Sequence, residues 1–574
     1  MKTFLEYLSD DELIDFVIKE RIKSASKGVL KPKAKRKPSV LQKEVQSMMP
    51  PRSTWKRPGR VTRANCDKVE QHYKIAIKNK VKNDLKCYRD NYGTIPANCK
   101  YLPKLLKFIA EVQDMARGNL PMDFASCIEI VAQFKKMDGK TGDAIYRPLS
   151  VYNSLEVKAL ISIAAKYLVE HLDETLHEEI LSYRPSRIYH SEAKTITCGD
   201  HAVRGLKEFM ARHKRKRIYV AECDIQKFYD VLNHDVALEC FAKKAERAGI
   251  PEYHQVERVL KAYLDSYSFY SHVMKLNDSE EFWKQYRATR MNINGRHRFE
   301  WVSDEALLDC YGDEGMLSVC KDKLGVPQGG ALSSIVSNVV MDMVDREILG
   351  NPVTDDPDRF FVRYGDDILL AHTDMTRCRE LIDGYVSALR KYHLPYHPFK
   401  PLEEFKRSEK TLKGFWDVKS KEPFLWGPGE GNAFEWIGFV GYEIRYDGQT
   451  RMRLSTLDKK FAAINKAYHA CIFKGEPKNP ERYIASVRKK MGRISGSMDQ
   501  FPELKSVAYD ECLVHQMKHL DRYRNHKIKK LHAKLLRKYP ELNLQSMRHI
   551  SLHDLLGRDT GVAYSFYKKL EDRN

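Results

Sequence analysis

The chain has 574 residues, and its 99 lysines and arginines outweigh its 78 aspartates and glutamates to give a formal charge of +21. At about 150 residues per domain, this length predicts three or four domain-sized units. The hydrophobic content of 42% excludes a wholly disordered chain. The sequence has no run of about 18 apolar residues, so no membrane span is predicted. The excess positive charge favours a polyanion partner, most commonly nucleic acid, although solubility alone also accounts for it.

The N-terminus and the cysteines indicate the compartment. The segment from Met1 to Glu6 reaches an acid without an apolar run, so no secretory signal is expected. The closest of the twelve cysteines, Cys310 and Cys320, are ten positions apart, and no Cys-x-x-Cys occurs. This spacing supports neither a zinc ribbon nor a disulfide framework, and it predicts reduced thiols in a cytoplasmic protein.

The predicted elements begin with an amphipathic helix. Ser9 and Glu12 form a capping box, and the apolar residues that follow share one face. The helix at 9–18 is open to two roles, a cap on the fold or an assembly contact in a homo-oligomer. Residues 21–60 then hold thirteen lysines and arginines against one acid, which predicts a mobile basic arm.

The central part of the chain alternates helical and strand-like periods. Two segments are predicted to be mostly helical, 101–135 and 154–181. The other predicted elements are a strand at 217–225, an apolar-faced helix at 331–349, hairpins at 360–371 and 434–445, and a basic helix at 518–538.

Three acids at strand ends and turns are candidates for chemistry. Asp366 and Asp367 lie between two apolar runs, at the tip of the first predicted hairpin. Two adjacent like charges there are unfavourable unless a cation neutralises them, although a solvated Asp-Asp turn is the alternative. Asp224 ends the predicted strand, and if it lies beside Asp366 the two acids can share divalent ions. Two Mg²⁺ ions at such a site serve phosphoryl transfer.

Three segments in order carry a resemblance to a known family. Asp224-Ile-Gln-Lys-Phe-Tyr-Asp230 comes first, then Gly325-Val-Pro-Gln-Gly-Gly-Ala-Leu-Ser-Ser334, then Tyr364-Gly-Asp-Asp367. The sequence resembles the reverse transcriptases, most closely the bacterial lineage of group II intron, retron and defence-associated enzymes. The resemblance covers roughly residues 130–450, and it also includes Arg147-Pro-Leu149, Ser182-Tyr-Arg-Pro-Ser-Arg187 and Ile437-Gly-Phe-Val-Gly-Tyr442.

The resemblance implies an α/β (α+β) fold, the right-hand polymerase with fingers, palm and a helical thumb, plus helical N- and C-terminal extensions. The expected domains are an N-terminal helix and basic arm at 1–60, an N-terminal extension and fingers at 61–215, a palm at 216–450 with an insertion at about 252–323, and a helical thumb with a basic C-terminal extension at 451–574.

The resemblance also implies the metal site. Asp224 and Asp366 correspond to the principal metal ligands, and Asp367 is the second acid of the turn. Ile225 would offer its backbone carbonyl to a metal. The cofactor is expected to be two Mg²⁺ ions, for which Mn²⁺ can substitute.

The nucleotide site follows from the same resemblance. Tyr229 matches the aromatic steric gate that excludes a 2′-hydroxyl, with core packing as its alternative role. Gln328 and Gly329 would border the incoming nucleotide, and Gly330 would let backbone approach closely. Arg147 would clamp the triphosphate.

Other matched positions are the phosphate-binding lysine, the primer grip and a general acid. Lys140 falls where the family often keeps that lysine, with a solvated loop as the alternative. Gly438, Phe439 and Gly441 resemble the primer grip, a hairpin that sets the primer end. Lys400 falls where the family places a general acid for pyrophosphate.

The sequence also departs from the family pattern. Asp224 and Asp366 are 142 residues apart, because of extra length at 252–323. Basic and aromatic residues interleave there, including Trp283 and Arg298, which predicts either a contact with a single nucleic-acid strand or a surface hairpin without a ligand. No endonuclease module and no ribonuclease H constellation is recognisable.

Three interpretations therefore compete. The first is an RNA-directed DNA polymerase whose partners are an RNA template or noncoding RNA, a DNA primer and product, and dNTPs, with no membrane. Within it, antiphage defence is favoured over a group II intron maturase. The second is an RNA-dependent RNA polymerase, in which Asp230 would read the 2′-hydroxyl. The third is an inactive scaffold, which the retention of three clustered acids disfavours.

Overall fold

The chain divides into two compact units, each built from several segments. The computed structural model describes residues 2–30, 39–56, 66–95, 99–182, 184, 189–190, 195–196, 198–287, 296–301, 303–311, 320–350, 355–400, 402, 415, 418–429, 433–471 and 511–538. Unit 1 comprises 1–178, 225–354 and 384–397, and unit 2 comprises 179–224, 355–383 and 398–574.

The helices and strands have the following bounds. The α-helices are α1 Phe4–Tyr7, α2 Asp10–Leu30, α3 Val40–Ser47, α4 Cys66–Asp90, α5 Leu102–Arg117, α6 Leu155–Leu172, α7 Cys198–Arg212, α8 Phe228–Val231, α9 His234–Ala248, α10 Tyr253–Asp265, α11 Lys275–Asn277, α12 Glu280–Arg287, α13 Asp304–Tyr311, α14 Ser333–Leu349, α15 Met375–Lys391, α16 Leu454–Cys471 and α17 Glu511–Lys538. The strands are β1 Ile128–Met137, β2 Ala144–Tyr152, β3 Tyr189–His190, β4 Thr195–Ile196, β5 Tyr219–Asp224, β6 His297–Phe299, β7 Arg359–Tyr364, β8 Asp367–His372, β9 Phe399–Lys400, β10 Ser420–Trp426, β11 Ala433–Phe434, β12 Trp436–Phe439, β13 Tyr442–Arg445 and β14 Thr450–Met452.

The amphipathic helix α2 packs inside its own unit. The Glu12 N–H donates to Ser9 Oγ at 3.4 Å, so the Ser9 half of the predicted capping box is present. Leu13 and Val17 are fully buried. On the polar side of the helix, the Glu12 carboxylate forms an ion pair with Lys166 Nζ of α6 at 3.0 Å. Its apolar face is therefore covered by the chain itself, which matches the capping role.

The segment predicted to be a mobile basic arm is partly helical, so that prediction is wrong for much of its length. Helix α2 continues to Leu30, and α3 begins after Ser39, whose side chain and Gln42 form a capping box. The cap and the burial of Val45 supply local order that the charge count did not reveal. The basic run at 31–38 lies outside the described residues.

Unit 1 contains a three-stranded sheet in the order β1-β2-β6. Residues 128–135, predicted as helix, form strand β1 and pair antiparallel with β2. Ile130 and Ala132 are buried while Glu129 and Gln133 are more exposed, so the chain follows a period of two there. The hairpin between β1 and β2 carries both predicted phosphate-binding residues.

The insertion at 252–323 is part of the core of unit 1. Trp283 is only 3% exposed and lies against Phe299 and Tyr146, with ring centroids 5.0 and 5.3 Å away. The segment forms helix α12 and strand β6 rather than a surface hairpin. The prediction that Trp283 stacks on a nucleic-acid base is wrong because its ring is already packed in this cluster. Residues 288–295 lie outside the described residues.

Unit 2 is organised around a mixed sheet in the order β11-β10-β5-β8-β7, with β9 also paired to β10. The predicted strand at 217–225 and the predicted hairpin at 360–371 are both confirmed, and β5, β8 and β7 run antiparallel to their neighbours. Val220, Leu369 and Leu370 are fully buried, as expected of strands covered on both faces.

The strands β12 to β14 and the helix α17 contribute to the same hydrophobic core of unit 2. The predicted hairpin at 434–445 is strands β12 and β13, and β14 pairs with β13. The predicted basic helix at 518–538 is the C-terminal part of α17, which buries Leu520 and Leu531 in the same hydrophobic cluster as Leu369. Among the described residues, none of the helices is long and apolar enough to span a membrane.

Candidate functional site

The three predicted acids meet at one end of the unit 2 sheet. Cα atoms of Asp224, the last residue of β5, and Asp367, the first of β8, are register partners. Asp366 lies in the two-residue turn between β7 and β8, where Gly365 has a φ of +71° that favours glycine. Asp224 is 4% exposed, whereas Asp367 keeps an exposed surface. The strand register thus brings together carboxylates that are far apart in sequence.

Hydrogen bonds fix the conformation of the acidic turn. The Gly365 N–H donates to Ser182 Oγ at 2.8 Å. The fully buried Arg363 donates from Nη1 to the Gly365 carbonyl at 3.0 Å. These contacts hold the backbone that presents Asp366, and Ser182 belongs to the upstream segment that resembles the family. The neighbouring positions 183 and 185–188 lie outside the described residues.

The neighbouring carboxylates perturb Asp367. Desolvation, followed by the charges of Asp224 and Asp366, raises the pKa of Asp367 to about 7, against the opposing charges of Lys419 and Arg453. Lys419 forms an ion pair with Asp224. Although burial opposes it, this contact raises the pKa of Lys419. The site is therefore an acidic centre that needs positive charge and obtains part of it from Lys419.

The donor set suits a divalent cation such as Mg²⁺. Mg²⁺ prefers a few carboxylate oxygens and completes its shell with water or phosphate oxygens. Asp224 and Asp367 supply such oxygens, and their mutual repulsion is what a cation relieves. Within the described residues, no group of three or more His, Cys, Asp or Glu side chains is arranged to hold a metal ion. Lys419 Nζ instead donates a hydrogen bond to Oδ2 of Asp224.

The predicted primer-grip hairpin is connected to the acids through Arg453. A Cβ at Gly438 would stand 2.8 Å from Arg453 Nε, so the guanidinium lies against the glycine. The Arg453 N–H donates to the Gly441 carbonyl at 3.0 Å, and the charge of Arg453 acts on Asp367. Phe439 is 5% exposed and belongs to the core, so this hairpin offers mainly backbone to a primer.

The turn of that hairpin has left-handed backbone at both central positions. Val440 has a φ of +48° and Gly441 a φ of +86°, as a type I′ turn requires. A β-branched residue with positive φ is strained, typically by about 1–3 kcal/mol. The strain lies at the tip of the segment predicted to contact the primer.

The predicted nucleotide-side residues meet within unit 1. The Val326 N–H donates to the Tyr229 carbonyl at 2.8 Å, which joins the segment after Asp224 to the Gly325–Gly330 segment. The Ser150 N–H donates to the Gln328 carbonyl at 3.1 Å, and Leu149 is the nearest neighbour of a Cβ at Gly329. Tyr229, Gln328, Gly329 and strand β2 therefore form one connected surface. Tyr229 is half-buried, and its ring lies against the buried Phe228.

Gly330 is required by packing. A Cβ there would overlap the Tyr263 hydroxyl and stand 2.9 Å from Ser333 Oγ and 3.0 Å from the Tyr152 hydroxyl. These neighbours are side-chain hydroxyls of α10, α14 and β2, so the space that the glycine leaves is filled by side chains rather than by the backbone that was predicted to approach it.

Arg147 and Lys140 lie on the same hairpin of unit 1. Arg147 is exposed on β2, opposite Gln133 of β1. Lys140 is exposed in the turn, where its N–H donates to Asp138 Oδ1 at 2.8 Å. Both side chains are exposed to solvent. Ile225 directly follows Asp224, and its side chain is 1% exposed. Lys400 is exposed at the end of the short strand β9.

Asp230 is a buried acceptor for two side-chain donors. It is 6% exposed and accepts hydrogen bonds at 3.2 Å from both the Gln328 amide and the Trp301 indole N–H. Burial raises the pKa of Asp230 to about 6. Trp301 comes from the insertion, so the insertion helps to position Gln328. An acid committed to these two donors is poorly placed to read a 2′-hydroxyl.

Lys419, Arg453 and Trp301 are site residues that sequence reasoning missed. Lys419 is 195 positions from the acid that it contacts. Its only local signal is a Lys-Ser-Lys run at the start of an apolar strand, where a charged residue is common. Arg453 lies near the start of the predicted thumb, and no local pattern marks it as a site residue.

Part of the chain matches one known protein family. Residues 135–402 match the family described as "Reverse transcriptase (RNA-dependent DNA polymerase)". The chain therefore contains a reverse transcriptase domain, with the right-hand polymerase fold, and it is an RNA-directed DNA polymerase. The matched range includes the three acids, Tyr229 and Gln328.

Solved structures of telomerase from Candida species are similar to the chain at low identity. Apo telomerase from Candida tropicalis is 12% identical, covers 86% of this chain and 76% of its own, and has a TM-score of 0.33. The Candida tropicalis enzyme with a TWJ fragment of telomeric RNA is 11% identical, with coverages of 83% and 71% and a TM-score of 0.35. The Candida albicans complex is 12% identical, with coverages of 77% and 70% and a TM-score of 0.29. No curated protein sequence matches the chain.

Proposed function

We propose that the chain synthesises DNA on an RNA template from dNTPs, with Asp224, Asp366 and Asp367 holding two Mg²⁺ ions. The observation that carries the proposal is the register of β5 and β8, which pairs Asp224 with Asp367 next to the Asp366 turn. When bound, the metals would activate the primer hydroxyl and neutralise the pyrophosphate. Mn²⁺ would substitute for Mg²⁺ because it accepts the same oxygen ligands.

The residues of the chain divide the remaining work. Tyr229 would exclude a 2′-hydroxyl, while Gln328 and Gly329 border the nucleotide and Arg147 and Lys140 hold the triphosphate. The hairpin with Gly438, Phe439 and Gly441 would set the primer end, and the backbone carbonyl of Ile225 would serve a metal. The proposed domains are those expected from the sequence, with fingers at 61–215, palm at 216–450 and thumb from 451.

Deoxynucleotide use is the main distinction from an RNA-dependent RNA polymerase. The hydrogen bonds of Asp230 to Gln328 and Trp301 support the DNA-polymerase interpretation. Purified protein is supplied with an oligo(dT) primer on poly(rA) and with either dTTP or UTP. Preferential incorporation of dTTP is expected, and preferential use of UTP would refute the proposal.

The metal assignment is tested by Asp366→Asn. This substitution removes a charge without changing size, so DNA synthesis should fall to background while RNA binding stays within about twofold. Asp355→Asn is the matched control, because Asp355 is an exposed acid of the same unit outside the site. Undiminished synthesis by the Asp366→Asn protein would contradict the assignment.

We further propose a biological role in antiphage defence with a noncoding RNA, in the bacterial cytoplasm. Free thiols at the described cysteines, among them the buried Cys223 and Cys240, suit a reducing compartment. Plaque counts on a bacterial host carrying the wild-type or the Asp366→Asn chain test the role. Equal counts would remove the defence role and leave polymerase activity standing.

A further inference from the structure

A basic surface of unit 2 lies at the start of β5, the end of the strand away from Asp224. A pocket of about 550 Å³ opens there, within the range of small-ligand sites. Its walls come from the segment between α7 and β5, from the end of β10 and from Tyr446 after β13. None of the predicted polymerase residues lines it.

The rim of the pocket is positively charged. Lys214, Lys216 and Arg217 line it, and none of the described lining residues is an acid. Asp358 pairs with Lys216 at 2.6 Å and with His213 at 2.9 Å, which neutralises part of the charge. Lys214 and Arg217 are exposed and have no ion pair within the described part of the chain. Two uncompensated cations at the mouth of a pocket attract an anion.

The floor of the pocket is apolar and its rim is aromatic. Met210, Ile218 and Trp426 are at most 9% exposed. The Trp426 indole N–H donates to the Glu435 carbonyl at 3.1 Å, so its polar group is already satisfied. Tyr446 is 37% exposed, so part of its ring faces solvent. Such a ring offers a flat surface on which a nucleic-acid base can stack.

The backbone at the end of β10 leaves this space open. The chain there reads Gly427-Pro428-Gly429, and a Cβ at Gly427 would meet nothing within 4 Å. The φ of Gly427 lies outside the left-handed region, so a side chain can be introduced there without backbone strain.

We propose that this pocket binds a nucleotide of a single-stranded nucleic acid, with its base on Tyr446 and adjacent phosphates at Lys214 and Arg217. A free nucleotide shares this chemistry. The strand is favoured because the run His213-Lys-Arg-Lys-Arg217 places further exposed cations, such as Arg215, beyond the pocket along the same turn. The inference does not depend on the proposed polymerase chemistry, since it uses none of the same residues.

The first test measures binding of a fluorescein-labelled twelve-nucleotide oligouridylate by anisotropy between 50 and 300 mM NaCl. Each phosphate contact on a single strand contributes about 0.7 to the slope of the logarithm of the binding constant against the logarithm of the salt concentration. The double substitution Lys214→Gln with Arg217→Gln should therefore lower the magnitude of this slope by about 1.4. It should also weaken binding about 25-fold at 0.1 M salt. Lys104→Gln with Lys107→Gln, on exposed positions of α5 in unit 1, is the charge-matched control and should change little.

The second test locates the strand. An oligomer containing 4-thiouridine is cross-linked by light, and a peptide containing Tyr446 or Trp426 is expected to carry the nucleotide. Gly427→Leu, which fills the pocket without changing charge, should abolish that cross-link while primer extension on a short template continues. Cross-links confined to other segments, with unchanged affinity in both variants, would overturn the proposal. Protection of the pocket by UMP, with oligouridylate affinity unchanged by the charge and pocket substitutions, would assign the pocket to a free nucleotide and overturn the strand.

Discussion

Replacing Asp230 by Asn should stabilise the protein, and the gain should grow with pH. Asp230 is buried, so folding at neutral pH places its charge in a site that raises the pKa from 3.8 to about 6. Asn has the same shape and no charge. Its Oδ1 can accept from Trp301, and the Gln328 amide can turn to accept from the Asn Nδ2. The substitution therefore removes the buried charge and keeps both hydrogen bonds.

The magnitude follows from the pKa shift. Because the folded-state pKa is the higher one, the folded protein holds a proton that the unfolded chain has already lost between pH 3.8 and 6. The free energy of unfolding contributed by Asp230 therefore falls as pH rises through this window. The full cost above pH 6 is about 3 kcal/mol, at 1.36 kcal/mol per pKa unit. Between pH 5 and 7.5 the advantage of the Asn variant should grow by about 1.4 kcal/mol.

The assay is urea unfolding followed by intrinsic fluorescence at pH 5.0, 6.0 and 7.5. Asp355→Asn, at an exposed position, serves as the control and should give a difference independent of pH. A difference for Asp230→Asn that stays constant with pH, or that shrinks as pH rises, would refute the reasoning. The RNA-polymerase interpretation predicts another result, a changed preference between NTPs and dNTPs without the pH-dependent stability.

Three further predictions concern close contacts at the site. Gly330→Ala should cost about 1–3 kcal/mol in the free energy of unfolding because its Cβ meets the Tyr263 hydroxyl, and adding Tyr263→Phe should restore part of the loss; no restoration would contradict the contact. Gly441→Ala should cost about 1 kcal/mol through its positive φ and also slow primer extension, whereas Gly448→Ala, equally strained and open, should cost stability alone. Lys419→Gln should tighten Mn²⁺ binding severalfold, measured calorimetrically without nucleotide, because the competing cation is removed; unchanged affinity would show that Lys419 does not compete.

Local patterns were sufficient to predict the strands that carry the acids. Asp366 and Asp367 interrupt two apolar runs, and only a hairpin buries both runs while leaving the acids at its tip. The same reasoning placed Asp224 at a strand end. Their pairing needed the family resemblance, since nothing in either segment specifies a partner so distant in sequence.

Tertiary contacts decided the features that the sequence did not reveal. Trp283 has a surface-like basic neighbourhood, but its ring fits a cluster with Tyr146 and Phe299 that only folding assembles. The position of Asp230 in the sequence suits a substrate-reading acid, but its two hydrogen-bond donors come from segments far along the chain. Lys419 contacts Asp224 from a separate part of the chain.

The central position of β5 has a consequence for folding during synthesis. Both neighbours of this strand, β8 and β10, come later in the chain, and Tyr219 pairs with His372 and Leu425. At roughly 5–20 residues per second, a ribosome needs roughly 8–30 s to pass from Tyr219 to His372. Throughout that interval the apolar strand that ends in Asp224 has neither edge paired, so it can join strands of other nascent chains. The segment that carries Asp224 is thus open to pairing with other chains until β8 has been synthesised.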